Sequence, residues 1–216
     1  DGGHDRWLFN FDSDAGKVLE LAEFDTTCYP HVKFVSESEF VAFGCRGSDD
    51  RQDFAGFNLA GDAIWQQNFY DTQIAPTFAF APAAGRFALG RVIVAGLAGP
   101  GAAIPTEGSS QEVRVYQMYT GKILLKVDCS PIERAGENYA LSEDGMRLAV
   151  LRETAIHHPG TKDYDAYTSQ TVAVVVYALP PLTEKDKAAV ERAQSEAPAD
   201  TGERTDLVLV RASGRS

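Results

Sequence analysis

A hairpin-like unit recurs three times in this chain, and no other feature constrains the fold as tightly. The copies read "VKFVSESEFVAFGC" (32–45), "FAFAPAAGRFALGR" (78–91) and "YALSEDGMRLAVLR" (139–152). Each begins with apolar residues, breaks at a small or polar turn, and resumes with an apolar run. That is the pattern of two half-buried strands joined by a short loop. The anchor pairs are Phe34/Phe40, Phe80/Phe87 and Leu141/Leu148.

A second motif alternates with the first. "FNFDSDAGKVLELAEFD" (9–25), "FNLAGDAIWQQNFYD" (57–71) and "VYQMYTGKILLKVD" (115–128) align on Gly16, Gly61 and Gly121. Glycine at a turn allows a positive φ without a Cβ penalty. Trp7 and Trp65 fall in strands of these motifs and are most simply core. The unit is therefore four strands, A to D, with a period of roughly 45 to 60 residues.

Four antiparallel strands per unit at such a period resemble the blades of a WD40-like or YVTN-like β-propeller repeat protein of bacterial type. The resemblance is clearest in "VRVYQMYTGKILLKV" followed by "YALSEDGMRLAV", and covers about residues 7–180. The WD dipeptide and Gly-His signature of true WD40 repeats are missing, which places the chain in the broader propeller group. The resemblance implies an all-β fold of about three and a half blades: 7–24 (partial), 31–70, 77–128 and 138–178 (partial). A ring needs at least about four. The expectation is the C-terminal portion of a larger ring; an open array, or an assembly closed by a partner, are the alternatives.

Pro180 and Pro181 end the ladder, because proline cannot donate to it. Residues 1–181 are thus the repeats and 182–216 a helical and flexible tail. "LTEKDKAAVERAQSEA" (182–197) predicts a short helix, with Thr183 as N-cap and Glu184 and Asp186 in its first turn. Its apolar content is too low for independent stability. "TDLVLVRAS" (205–213) predicts a strand that frays, or that completes the last blade as strand D.

Charge and cysteines bound the partners. A net charge of −11 over 216 residues argues against binding nucleic acid or anionic lipid through bulk attraction. No run of about 18 apolar residues exists to span a membrane. The three cysteines, Cys28, Cys45 and Cys129, match no zinc spacing. Cys28 and Cys45 lie on adjoining elements of one blade and are the pair placed to form a disulfide. An extracytoplasmic location is expected ahead of a cytoplasmic one.

The repeat also sorts the loops. A–B and C–D turns are short. B–C connections are long: "RGSDDRQD" (46–53), "AGLAGPGAAIPTEGSSQE" (95–112) and "ETAIHHPGTKDYDAYTSQ" (153–170). They share a face with the D–A loops. Long loops on one side of a rigid scaffold are where binding is usually placed. Arg46, Asp49, Asp50, Arg51 and Asp53 are candidates there, although an ordered calcium pattern is missing and solvated charge is the plainer reading. His157 and His158 lack a third ligand, and Tyr164 and Tyr167 beside them suit a ligand or protein surface. No local catalytic motif appears, so no catalytic, metal or cofactor residue is assigned. The reading is a non-catalytic scaffold. It binds a protein or other ligand through the B–C and D–A loops, its partner a protein or further N-terminal blades. The alternative is a fragment of a propeller enzyme, hydrolase, lactonase-like or quinoprotein-type, with its site near the ring axis.

Overall fold

A computed structural model of the chain describes residues 5–12, 18–26, 31–46, 51–58, 62–70, 76–94, 109–162, 164–196 and 206–212. The strands are β1 (Asp5–Asp12), β2 (Val18–Thr26), β3 (His31–Phe34), β4 (Glu39–Arg46), β5 (Arg51–Asn58) and β6 (Ala63–Tyr70). There follow β7 (Thr77–Ala81), β8 (Arg86–Ile93), β9 (Ser110–Gln117), β10 (Lys122–Cys129) and β11 (Tyr139–Leu141). The last are β12 (Arg147–His158), β13 (Tyr167–Ala178) and β14 (Asp206–Ala212), with the helix α1 (Glu184–Glu196) before β14.

The strands form four antiparallel sheets, ordered β14-β1-β2, β3-β4-β5-β6, β7-β8-β9-β10 and β11-β12-β13. The three anchor pairs of the repeat are direct cross-strand partners: Phe34 opposite Phe40, Phe80 opposite Phe87, and Leu141 opposite Leu148. In the "SEDGM" turn, Asp144 accepts from the Ser142 hydroxyl (2.6 Å) and the Met146 amide (2.9 Å). Gly145 adopts φ +65° there, as an Asx-type turn closed by glycine requires.

The sheets stack in chain order. β2 lies against β4 and β5, and β11 against β7 and β8. Between the second and third sheets the core holds Val41, Phe43, Phe54, Phe87, Leu89, Tyr116 and Met118. Trp65 stacks on Phe87 and Tyr116, and its indole N–H donates to the Met118 carbonyl at 2.7 Å. A half-buried tryptophan with its one donor satisfied is a stable arrangement. Between the third and fourth sheets the core holds Ala88, Val113, Val115, Cys129, Tyr139, Leu148 and Val150. A side chain at Gly90 would collide with the Tyr139 ring, whose Cε1 lies 2.7 Å from where its Cβ would be.

One expectation about the tail fails, and the helix is held by contacts with the sheets. The helix forms where the sequence places it: Thr183 Oγ1 accepts from the Asp186 amide (3.2 Å) and Asp186 Oδ2 from the Thr183 amide (2.9 Å), a reciprocal cap. It is not loose. Ala189 and Ala193 are buried, the Ala193 carbonyl accepts from Ser38 Oγ, and Val190 abuts Gly85. Small side chains let the helix lie close to the hairpin turns, so little apolar area suffices. The expectation that fails is that for β14. It neither frays nor extends the last sheet; it pairs with β1 through seven residues, Arg6↔Ala212 to Asp12↔Asp206. The helix thus runs from the fourth sheet back across turns of the third and second, and β14 joins the first.

Arg86 secures the departure of that strap. It is 1% exposed. Its guanidinium donates to Gln117 Oε1 (2.9 Å), the Gly145 carbonyl (2.7 Å) and the Pro180 carbonyl (2.7 Å). One side chain therefore ties the third sheet, the last hairpin turn and the start of the tail. Burial lowers its pKa, and Asp186 and Asp144 oppose that.

Candidate binding face

The long connection 153–170 is mostly strand. β12 and β13 pair in register for twelve residues, from Arg147↔Ala178 to His158↔Tyr167, leaving only 159–166 as the connection. Aligned on the anchors, each strand runs four residues past its counterparts β8 and β9, so the ribbon projects by about 13 Å. His157, His158 and Tyr167 sit on this ribbon, not in a loop. Both ribbon faces meet solvent, so its sequence lacks the period-two apolar signal that marks a half-buried strand.

Cross-strand polar pairs hold the ribbon. His158 Nε2 and Ser169 Oγ are 2.9 Å apart, and the His158 ring stacks on Tyr167 at 4.4 Å between centroids. His157 Nδ1 is 3.4 Å from Thr168 Oγ1, a weak contact. Near the tip the Thr161 amide donates to the Tyr164 carbonyl at 2.8 Å. Tyr164 is 76% and Tyr167 59% exposed. The two histidines thus bond hydroxyls rather than converge on a shared point. Among the described residues no three His, Cys, Asp or Glu side chains gather as a metal would need.

At the foot of the ribbon is a polar cavity of about 390 Å³, lined by Ser109, Asp128, Cys129, Ser130, Arg152 and Glu153 among others. It lies where the D–A loop after β10 meets the B–C ends of β9 and β12. The Ser130 hydroxyl accepts from the Glu153 amide (2.7 Å), and the Cys129 thiol donates to the Asn138 carbonyl (3.0 Å). Burial pushes the Cys129 thiol pKa up, which favours the thiol over the thiolate.

Behind this cavity Glu112 is buried and contacts three cations. Arg91 is 3.6 Å away, Lys126 2.5 Å, and Arg114 donates to the same carboxylate. Burial pushes the Glu112 carboxyl up, but the bonds from Lys126 and Arg114 outweigh it and hold it below the usual range. Such an arrangement fixes the strand ends; a buried carboxylate already ringed by cations offers little to a ligand.

The remaining sequence candidates scatter. Asp53 lies in β5, on the second sheet and away from the histidines, and is 2% exposed. With its amide nitrogen turned to the carboxylate, Asn68 donates to it at 2.6 Å. Arg46 and Arg51 are opposite one another where β4 and β5 end. Asp49, Asp50 and Cys28 lie outside the described residues, as does the Cys45 side chain, so the Cys28–Cys45 pairing does too.

A second cavity was not anticipated. It measures about 700 Å³ on the hairpin-turn side and is lined by Phe34, Val35, Phe80, Pro82, Ala83 and Ala193 among others. The helix makes one wall. Its sequence signal is the Ala189/Ala193 spacing, one turn apart on one helix face.

No family model matches the chain. No curated protein matches it. Among solved structures it is similar to hydrazine synthase of Kuenenia stuttgartiensis, with a TM-score of 0.44 and 12% identity over 67% of this chain and 43% of that one. A likeness at that level fixes neither family nor activity. No helix among the described residues is long and apolar enough to cross a membrane. What stands, among the described residues, is a mostly β chain of consecutive antiparallel sheets with one short α-helix and a projecting ribbon.

Proposed function

We propose that the four sheets are blades of a propeller-like scaffold and that the chain binds a protein through the ribbon side. The projecting ribbon carries this reading. It raises Tyr164 and Tyr167 clear of the sheets at 76% and 59% exposure. Tyrosine supplies large contact area for little side-chain entropy, and is enriched among residues that dominate interfaces. Flanking Thr168, Gln170 and Thr171 give a polar rim. The polar cavity at its foot, of about 390 Å³, offers Ser130, Arg152 and Glu153 to a partner side chain.

The test is affinity capture from the source cells with three baits: the native chain, a Tyr164→Ser/Tyr167→Ser double variant, and a Lys187→Ser control on the helix. Proteins held by the native chain and the control, but reduced about tenfold or more on the double variant, support the reading; a loss of about 1.4 kcal/mol gives that factor. An identical set on all three baits refutes it.

A further inference from the structure

We propose that the cavity beside α1, on the hairpin-turn side, binds a small organic cation with an aromatic body. The turns that line it stand at the opposite strand ends from the ribbon, so the inference is independent of the protein-binding reading above.

Three elements build the cavity. The end of β3 and its turn bring Phe34 and Val35, the β7–β8 turn brings Phe80, Pro82 and Ala83, and the last turn of α1 brings Ala193. A volume of about 700 Å³ with mostly apolar walls is what small-molecule sites show. The void follows from residue size: Ala83 and Ala193 stand where larger side chains would close it.

The walls are fixed before any ligand arrives. The Val35 and Ser36 amides donate to the Glu39 carbonyl at 2.9 and 3.2 Å, which closes the first turn. The Gly85 amide donates to the Pro82 carbonyl at 2.9 Å, which closes the second. The Ser38 hydroxyl donates to the Ala193 carbonyl at 2.5 Å and ties the helix to the first turn. Preformed walls spare a ligand the entropy of ordering them.

The aromatic walls suit a flat body. Phe34 is 42% exposed, although its cross-strand partner Phe40 is fully buried. Phe80 is half-buried and stacks on Phe78 with 5.8 Å between centroids. Two phenyl rings thus line one cavity, and ring faces attract both aromatic groups and cations.

Charge names the rest of the ligand. Among the described residues lining the cavity, Glu37 is the one charged side chain. It sits exposed in the first turn, whereas Glu39 nearby accepts from the Ser36 hydroxyl. The last turn of α1 brings Gln194 to the rim and holds no basic residue. Carbonyls at a helix C-terminus favour a cation, as the carboxylate does. Arg192 is engaged elsewhere, its guanidinium 6.0 Å from the Tyr119 ring centroid. The cavity therefore joins aromatic walls to a negative rim, and an anion finds no counterpart there.

Amide shifts of the isotope-labelled full chain test this, with three probes that share one indole body. Tryptamine carries an ammonium, tryptophol a hydroxyl and indole-3-acetate a carboxylate. Tryptamine should shift residues 34–37, 83 and 193–194 with a Kd of about 1 mM or tighter, as its size allows. Tryptophol should bind about three- to fivefold more weakly, and indole-3-acetate more weakly still. Glu37→Gln should weaken tryptamine about threefold and leave tryptophol unchanged. Ala83→Trp should fill the cavity and abolish the shifts of all three while the rest of the spectrum keeps its dispersion. The proposal is overturned by an absence of saturable shifts, by equal affinity for tryptamine and indole-3-acetate, or by shifts scattered over the acidic surface. Tryptamine binding that survives Ala83→Trp overturns it too. If Ala83→Trp does not fold, Glu37→Gln decides, and an unchanged tryptamine affinity refutes the site.

Discussion

Val113 and Val174 hold the same place in two copies of one unit, yet Val113 is fully buried and Val174 is 65% exposed. The residue type does not decide this; the neighbour does. The third sheet has a sheet on each face, and β8 is buried along seven of its eight residues. Among the described residues the fourth sheet has a neighbour on one face only, and β13 is exposed or half-buried throughout. Stability is therefore concentrated in the middle of the stack, and the outer sheet keeps surface available.

Substitutions can break this comparison, beginning with the largest effect. Phe87→Ala removes a ring that stacks on Tyr116 at 5.0 Å and on Trp65 at 6.3 Å. It should cost about 3–5 kcal/mol in urea unfolding. A cost below about 1 kcal/mol would mean that the third sheet is not the core. Arg86→Ala leaves the buried Gly145 carbonyl and the Gln117 side chain without their donor and should cost about 2–4 kcal/mol. It should also speed amide exchange in α1 selectively; uniform exchange would show that Arg86 does not anchor the strap.

The valine pair sharpens the comparison itself. Val113→Ala should cost about 2 kcal/mol and Val174→Ala under about 0.5 kcal/mol. Equal costs would erase the distinction between the sheets. The smallest effects are in the pH dependence. Burial pushes the Tyr139 phenol, bonded to Thr77, up to about 12. The folded state thus favours the protonated phenol, and its contribution is complete below about pH 10 and lost as pH rises toward about 12. Glu112 behaves oppositely: its folded pKa is depressed, so its contribution is present above the usual carboxylate range and fades as pH falls below about 4. Tyr139→Phe should flatten the alkaline limb and Glu112→Gln the acid limb, read as melting temperature against pH.

Most of the sheet framework was legible because the anchors alternate with polar residues, and a half-buried strand writes that period directly. The turn glycine Gly121 has the positive φ its alignment implied, at 64°. The ribbon was read as a loop because a strand wetted on both faces carries no alternation. The helix contact was missed because it rests on Ala189 and Ala193, whose small size only matters once Gly85 and Ser38 are known to lie beneath them. The partner of β14 was beyond local reasoning, since it is almost 200 residues away in sequence. Of the site candidates, His158 and Tyr167 meet as a stacked pair, whereas Asp53 is a buried strand residue on another sheet.

The pairing of β14 with β1 has a consequence for the order of events at the ribosome. β1 and β2 emerge well before β14, the third strand of their sheet. At about 5–20 residues per second, β1 and β2 wait roughly ten seconds or longer for their partner. Over that interval one edge of β1 is open to any passing strand, a liability that native sheets otherwise cover. The middle sheets, built from neighbours in sequence, have no such wait. Of the four sheets, the one holding β1 and β2 therefore waits longest for its last strand.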